Sequence, residues 1–191
     1  TNDVNNGTGP KGGSTNDTTA TLRGTGSAAE AGGRVIIADG TTVRGTAIVQ
    51  FDGTGSFTST ALSVGTHPLS VTVTDAAGNV SGTTSASVII DTTAPGAVTV
   101  AASNNNGSTP IAIANGGSTN DNTPALSGTA EAGSVVIVRE GATVLGSTTA
   151  SSTGAWSITS STLVDGTHNL SVTATDAAGN VSTATPITLI I

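Results

Sequence analysis

Cysteine is absent from the 191 residues, which removes disulfides, thiolate metal sites and cysteine nucleophiles together. Tyrosine and methionine are also absent, and the aromatic residues are one tryptophan and two phenylalanines. An exposed aromatic platform for a glycan or protein partner therefore has almost nothing to be built from. Charged residues make up 9% of the chain, and five Lys and Arg stand against twelve Asp and Glu, a net charge of −7. That balance excludes the basic patches that nucleic acid requires and disfavours anionic membrane surfaces. No apolar run approaches the ~20 residues of a membrane helix, and no secretory leader opens the sequence. The expectation is a soluble fragment cut from something longer, with no membrane insertion of its own. A secreted chain without disulfides lacks the usual staple of small domains, so oxygen-coordinated metal becomes the natural candidate for rigidity.

Glycine is plentiful, with 26 residues, beside many Thr, Ser, Ala, Asn and Val. Hydrophobic content of 35% and repeated alternation of β-branched with polar residues argue for packed strands rather than disorder. The eight residues TDAAGNVS occur at 74–81 and again, letter for letter, at 175–182. The duplication is wider. GGSTND at 12–17 returns at 116–121, Glu30-Ala31-Gly32 matches Glu131-Ala132-Gly133, GTH at 65–67 matches 166–168, and Phe57 matches Trp156. The offset drifts between 99 and 104 residues, so insertions fall in loops. A unit near one hundred residues is too long for a solenoid and suits an independent β-sandwich.

In the second copy the alternation predicts strands over 97–102, 125–128, 135–139, 143–148, 156–159, 169–175 and 184–190. No segment has helical periodicity. The fold expected is all-β, two tandem immunoglobulin-like sandwiches over residues 1–90 and 91–191, joined by a short linker that Pro95 stiffens. The first copy lacks a counterpart of DTTAPGAVTV, so its first strand is expected to be truncated or irregular.

Alternating strands gather loops at two ends. Asp91, Glu131 and Asp176, with Asn180, fall at the end where the chain enters the second copy. Asp17 and Asp39 fall where it leaves the first. Five carboxylates at one joint repel unless a cation lies among them. Ca²⁺ suits such loops because it mixes carboxylate, amide and carbonyl oxygens, whereas Mg²⁺ wants stricter geometry and Zn²⁺ wants His or Cys. The plainer readings stand beside this one. Asp75 and Asp176 can close Asx-turns, with Gly78 and Gly179 at positive φ and Asn79 and Asn180 tolerating left-handed backbone. Asp17 and Asp121 can start strands, and Glu30 and Glu131 can be exposed turn residues. His67 and His168 occupy the place where sandwiches set a corner aromatic whose polar tip bonds the backbone. Phe57 and Trp156 are expected to anchor the cores. There is no Ser-His-Asp set, no acid pair in a cleft-like context and no phosphate loop, so catalysis is not expected.

GTAEAGS, DGTHNLSVTATDAAGNVS and the boundary DTTAP resemble the bacterial immunoglobulin-like repeats of giant type I-secreted, biofilm-associated adhesins. The resemblance covers nearly the whole second copy and the first from GGSTND onward, departing at GTGSAAEAGGR. It implies an extracellular stalk at the bacterial cell surface, used in cell adhesion and biofilm formation, whose partners are neighbouring repeats. A host or abiotic surface would be met through other parts of the parent protein. It further implies Ca²⁺ between repeats, held by Asp91, Glu131 and Asp176 with Asp17 and Asp39. Asp75 and Glu30 would face a preceding repeat, helped by Asp52, and Asp121 a following one. The competing functions are a module that itself binds a glycan or host protein, and an accessory module of a secreted hydrolase.

Overall fold

Alternation of apolar and hydroxyl residues writes the strands directly. In LSVTAT (170–175), Leu170, Val172 and Ala174 turn inward to 2%, 0% and 0% exposure, while Ser171, Thr173 and Thr175 face out half-exposed. The computed structural model describes residues 3–6, 13–19, 21–25 and 31–191. The chain divides into two compact units, Thr1–Thr92 and Thr93–Ile191. Among the described residues there is no helix, and therefore none long and apolar enough to cross a membrane. Both units are immunoglobulin-like sandwiches.

The first unit runs β1 (Asp3–Asn6), β2 (Gly13–Thr15), β3 (Thr21–Thr25), β4 (Arg34–Asp39), β5 (Thr42–Ile48), β6 (Thr54–Thr58), β7 (Gly65–Thr74) and β8 (Thr84–Ile90). One sheet is ordered β1-β3-β6 and the other β2-β8-β7-β4-β5. Its core is Leu22, Leu62, Leu69, Ala86, Val88 and Ile90, with Phe57 packed against it half-buried. The second unit runs β9 (Ala101–Asn104), β10 (Ile111–Ile113), β11 (Ala125–Thr129), β12 (Val135–Glu140), β13 (Thr143–Thr149), β14 (Ala155–Thr159), β15 (Thr167–Thr175) and β16 (Thr185–Ile190). Its sheets are β10-β9-β11-β14 and β13-β12-β15-β16. Leu126, Val136, Val138, Val172, Ala174 and Leu189 are wholly buried there, with Trp156 at 4%.

Two strands of the second unit differ from expectation. The opening strand starts at Ala101 rather than Ala97, because before it the segment is held through side chains, Thr129 N to Thr99 Oγ1 and Thr185 Oγ1 to Val98 O. Thr99 N to Thr129 O is the one backbone pair short of the ladder. The three-residue β10, too short to show a period, pairs with β9. In the first unit the irregular opening strand is β1, which runs parallel to β3, whereas β9 runs antiparallel to β11.

Each unit carries one bulge in its β4–β5 or β12–β13 hairpin. Pairing slips between Ile37 and Ala38, leaving Arg44 as the extra residue, and between Val138 and Arg139, leaving Leu145. A bulge re-aims the side chain it inserts. Leu145 goes into its core at 8% exposure, while Arg44 reaches a carboxylate described below. The residue after the bulge must be glycine for a packing reason. A Cβ on Gly45 would lie 2.1 Å from the Phe57 ring, and one on Gly146 would lie 2.4 Å from Ile158 Cγ2.

Candidate functional site

The repeated TDAAGNVS forms the turn after β7 and after β15, and each of its polar side chains from Asp to Ser is engaged there. Asp176 Oδ1 accepts the backbone N–H of Ala178 and of Asn180 at 2.8 Å, and Oδ2 accepts from Asn180 Nδ2 at 2.8 Å. Asp75 repeats the set with Ala77 at 2.9 Å, Asn79 N at 2.8 Å and Asn79 Nδ2 at 2.8 Å. Gly78 and Gly179 take φ of +89° and +91°, which only glycine adopts without strain. Ser81 and Ser182 close the turn by accepting from Val73 N and Ala174 N through Oγ. Hydrogen bonds from Asn79, side chain before backbone, hold the Asp75 carboxyl below its usual range. Burial alone would raise Asp176, but donors from Asn180, Ala178 and Gly179 together outweigh it and lower it. The Asx-turn reading is what the geometry gives. It leaves Oδ2 of each Asp with one internal donor.

A second device is an Asp that accepts from the Thr two residues on. Asp17 Oδ1 takes Thr19 N and Thr19 Oγ1 at 2.8 Å each, and Asp52 takes Thr54 N at 2.9 Å and Oγ1 at 2.7 Å. Backbone and side-chain bonds from Thr19 lower Asp17, and side-chain and backbone bonds from Thr54 lower Asp52. Asp121 is the buried version, at 0% exposure. Oδ1 accepts from Thr123 N at 3.0 Å and Thr123 Oγ1 at 3.2 Å, and Oδ2 accepts Asn105 N at 2.8 Å. Asp121 thus ties the β9–β10 connection to the start of β11, an internal role that leaves no outward face for an ion.

Asp39 also has partners that a cation would displace. Its Oδ2 lies 2.8 Å from Arg44 Nη2 and 2.7 Å from His67 Nδ1. His67 Nε2 lies 2.8 Å from Ser63 O. In the second unit His168 Nδ1 lies 3.0 Å from Glu140 Oε2, and Nε2 lies 2.8 Å from Val164 O. The corner-aromatic expectation is met by the backbone bond, and the carboxylate partner is the addition. Both imidazoles are 6% exposed, and as imidazolium each donates from both nitrogens. The Ser63 carbonyl, then Asp39, raises the His67 pKa, and the Val164 carbonyl, then Glu140, raises that of His168. His67, first, with Arg44 lowers that of Asp39.

The sign follows from linkage. A histidine raised on folding stabilises fully below its unfolded value near ~6.5, and that stability is lost as pH rises through the folded value. A lowered Asp39 stabilises above its ordinary 3.8 and loses this as pH falls through its folded value. The first unit is therefore expected to be most stable between those limits. Its urea midpoint should decline as pH rises from about 6.5 through the raised folded value of His67. In the double variant His67→Gln with His168→Gln that limb should flatten in each unit, through His67 in the first and His168 in the second. An unchanged slope in the double variant would refute the clamp.

Register sorts the remaining acids by end. Asp39 opposite Leu69 and Gly65 opposite Ile90 set the Asp39–His67 pair beside the end of β8. Asp91 N donates to Thr15 O at 2.9 Å, and Asp17 N donates to Thr15 Oγ1 at 3.0 Å. Asp17, Asp39 and Asp91 thus share the end where the chain leaves the first unit. Asp91 belongs to that unit, since its N–H prolongs the β2–β8 pairing. In the second unit Val135 opposite Thr175 places the loop of Glu131 beside the turn of Asp176. Glu131 is exposed, and only its backbone carbonyl is used, by Ser134 N and Oγ at 3.1 and 2.7 Å. Asp75 stands at the other end of the first unit and Asp121 at the other end of the second. Glu30 lies outside the described residues. Among the described residues, no group of three or more His, Cys, Asp and Glu is placed to hold a metal ion.

Two residues escape sequence reading. Arg44 and Glu140 look like strand-end charges, and only the cross-strand register and the bulge bring them to Asp39 and His168. The pairing of an acid at the end of β4 or β12 with the His of GTH, 28 residues on in both copies, is the signal that could have revealed them.

Comparison with known proteins matches the bacterial Ig-like domain model twice, over residues 2–92 and 94–191. A search of curated proteins finds no match. Among solved structures, the fibronectin(III)-like modules of Clostridium thermocellum CbhA align over 95% of this chain and 88% of theirs, at 18% identity and a TM-score of 0.54. The BSP domain of a biofilm associated protein aligns over 93% of this chain and 28% of its own, at 21% identity and a TM-score of 0.34. The first of these likenesses is one of fold.

Proposed function

Since the chain belongs to the bacterial Ig-like domain family along residues 2–92 and 94–191, we propose that it is a spacer. In this reading the two repeats form part of the stalk of a large type I-secreted bacterial surface adhesin, serving cell adhesion and biofilm formation. The observation that carries it is the succession itself. Two sandwiches with separate cores follow each other along the chain, the division falling between Thr92 and Thr93. The duplicated polar residues close turns and corners rather than converging on a reacting centre. The role is mechanical rather than catalytic, and the expected setting is the extracellular surface. Saturable binding of the isolated fragment on a glycan or host-protein array would overturn it, and an extended particle without such binding supports it.

Calcium is the second part of the proposal. Asp39 and Asp121 do not fit as ligands, because Arg44 and His67 hold the first and full burial closes the second. The residues that fit are Glu131, whose carboxylate is exposed, and Asp17 and Asp176, which keep oxygen lone pairs beyond their turn bonds. Asp91 is a candidate by its place where the chain leaves the first unit. When bound, Ca²⁺ would neutralise these carboxylates and restrict bending between repeats. Glu131→Gln tests this cleanly, since the Glu131 carboxylate supports no turn. The expected result in calorimetry is a calcium affinity at least about ten-fold weaker, roughly the loss of one charged oxygen ligand, with an unchanged unfolding midpoint in chelator. No calcium heat in the parent chain, or scattering profiles that superimpose with chelator and with excess calcium, would remove the calcium part and leave the spacer standing.

A further inference from the structure

The two units fill the space between their sheets differently. In the second, Val98 and Ala102 are buried to 2% and 4%, and Val100 packs against the same core. This segment is laced in place by Thr99 N to Thr129 O at 2.9 Å, and by Thr185 Oγ1 to Val98 O at 2.7 Å. It lies so close to β11 that a Cβ on Gly128 would stand 2.0 Å from Thr99 O. Beneath it, Val136, Val172 and Ala174 are fully buried.

In the first unit the counterparts Val35, Val71, Val73 and Phe57 are only half-buried, and they border a cavity of about 320 Å³. Gly24, which matches Gly128, has nothing among the described residues within 4 Å of the place a Cβ would take. Thr84, which matches Thr185, stands exposed on the cavity rim. The strand that does lie on β3 is β1. It runs parallel, the reverse of β9, and its sequence DVNN carries one apolar residue. The glycine, the hydroxyl and the apolar floor of the second unit are thus all repeated, without, among the described residues, the segment that uses them.

We propose that the first unit is a strand acceptor. It takes an extended segment from outside these 191 residues, with small apolar residues at every second position. That segment lies antiparallel to β3 and displaces β1, as Val98–Asn104 lie on β11. Recognition is by main-chain pairing along β3, the Thr84 hydroxyl on a carbonyl, and aliphatic side chains entering the cavity over Val35, Val71 and Val73. Gly24 gives the incoming backbone its close approach. The occupant's chemistry is fixed by the chain's own filled copy, PGAVTVAASN at 95–104.

The test adds a synthetic PGAVTVAASN peptide to the isotope-labelled full chain and follows amide and methyl shifts. The expected result is saturable binding with shifts at Val35, Val71, Val73 and Phe57 and none in the second unit. A peptide with asparagine at both valine positions should bind at least ten-fold more weakly. Gly24→Ala should likewise lose at least ten-fold in affinity while the first unit unfolds at the same midpoint, since the added methyl meets nothing until the strand arrives. The proposal falls if millimolar peptide leaves the shifts unmoved, if the asparagine peptide binds equally well, or if Gly24→Ala binds as tightly. It also falls if sedimentation shows the chain dimerising through these residues, which would make a second copy the occupant.

Discussion

Asp121→Ala is expected to destabilise the second unit by about 1–3 kcal/mol, because a fully buried acceptor of three hydrogen bonds is removed. The carboxylate is fully buried and accepts Asn105 N, Thr123 N and Thr123 Oγ1. Alanine leaves those part-buried N–H groups without their acceptor, and each costs its desolvation penalty to the extent that water cannot enter the vacated space. Asp17→Ala, in the same motif of the first copy, should cost far less, because the Thr19 donors it frees are exposed and water replaces the carboxylate. Urea unfolding followed by tryptophan fluorescence measures the Asp121 loss, since the single tryptophan lies in the second unit, and separate calorimetric transitions measure the Asp17 loss in the first. The loss should be the same in chelator and in calcium. A loss seen only in calcium would return Asp121 to the metal ligands.

Trp156→Ala carries the other large effect, a loss of about 3–5 kcal/mol typical of emptying a large aromatic site in a core. Trp156 is 4% exposed, sits opposite Gly128 on β11, and packs with Leu126, Val136 and Ile158 in one cluster. Phe57→Ala in the first unit should cost distinctly less. Phe57 is half-buried and already borders the cavity, so fewer packed atoms lose a neighbour. Two separate calorimetric transitions would give both values, and equal losses would contradict the difference in packing between the copies.

Much of the architecture could be read from residues alone. The β15 strand was plain because apolar and hydroxyl residues alternate without interruption, and the double TDAAGNVS announced two copies of one fold. The turn function of Asp75 and Asp176 was legible too, since Asp, Gly and Asn at those spacings form an Asx-turn by local bonds only. The start of β9 was read early because Val98 and Val100 have strand chemistry, yet Thr99 and Val98 are held largely by the hydroxyls of Thr99 and Thr185, so the regular ladder begins only at Ala101. β10 gave no signal, as three residues show no period. The partners of Asp39 lay beyond sequence reasoning for a different cause. Arg44 meets it only because the bulge rotates one residue out of register, and His67 arrives from a strand 28 residues on. The two Asp-Thr motifs differ just as invisibly: Asp121 also takes Asn105 N from the β9–β10 connection, a consequence of tertiary packing rather than of local sequence.

The parallel pairing of Gly13–Thr15 with Val88–Ile90 has a mechanical meaning. These are strands near the beginning and the end of the first unit, and the second unit repeats the contact in Ser118 with Ile190, reinforced by Thr119 N to Ile190 O and Ile190 N to Gly117 O. When a domain is pulled by its two ends, parallel neighbours of this kind slide along each other, so their hydrogen bonds bear the load together. An antiparallel pair loaded at one end would open one bond at a time. A tensile chain built from such units resists by shear, and the small patch beside the last strand sets the force at which each link gives way.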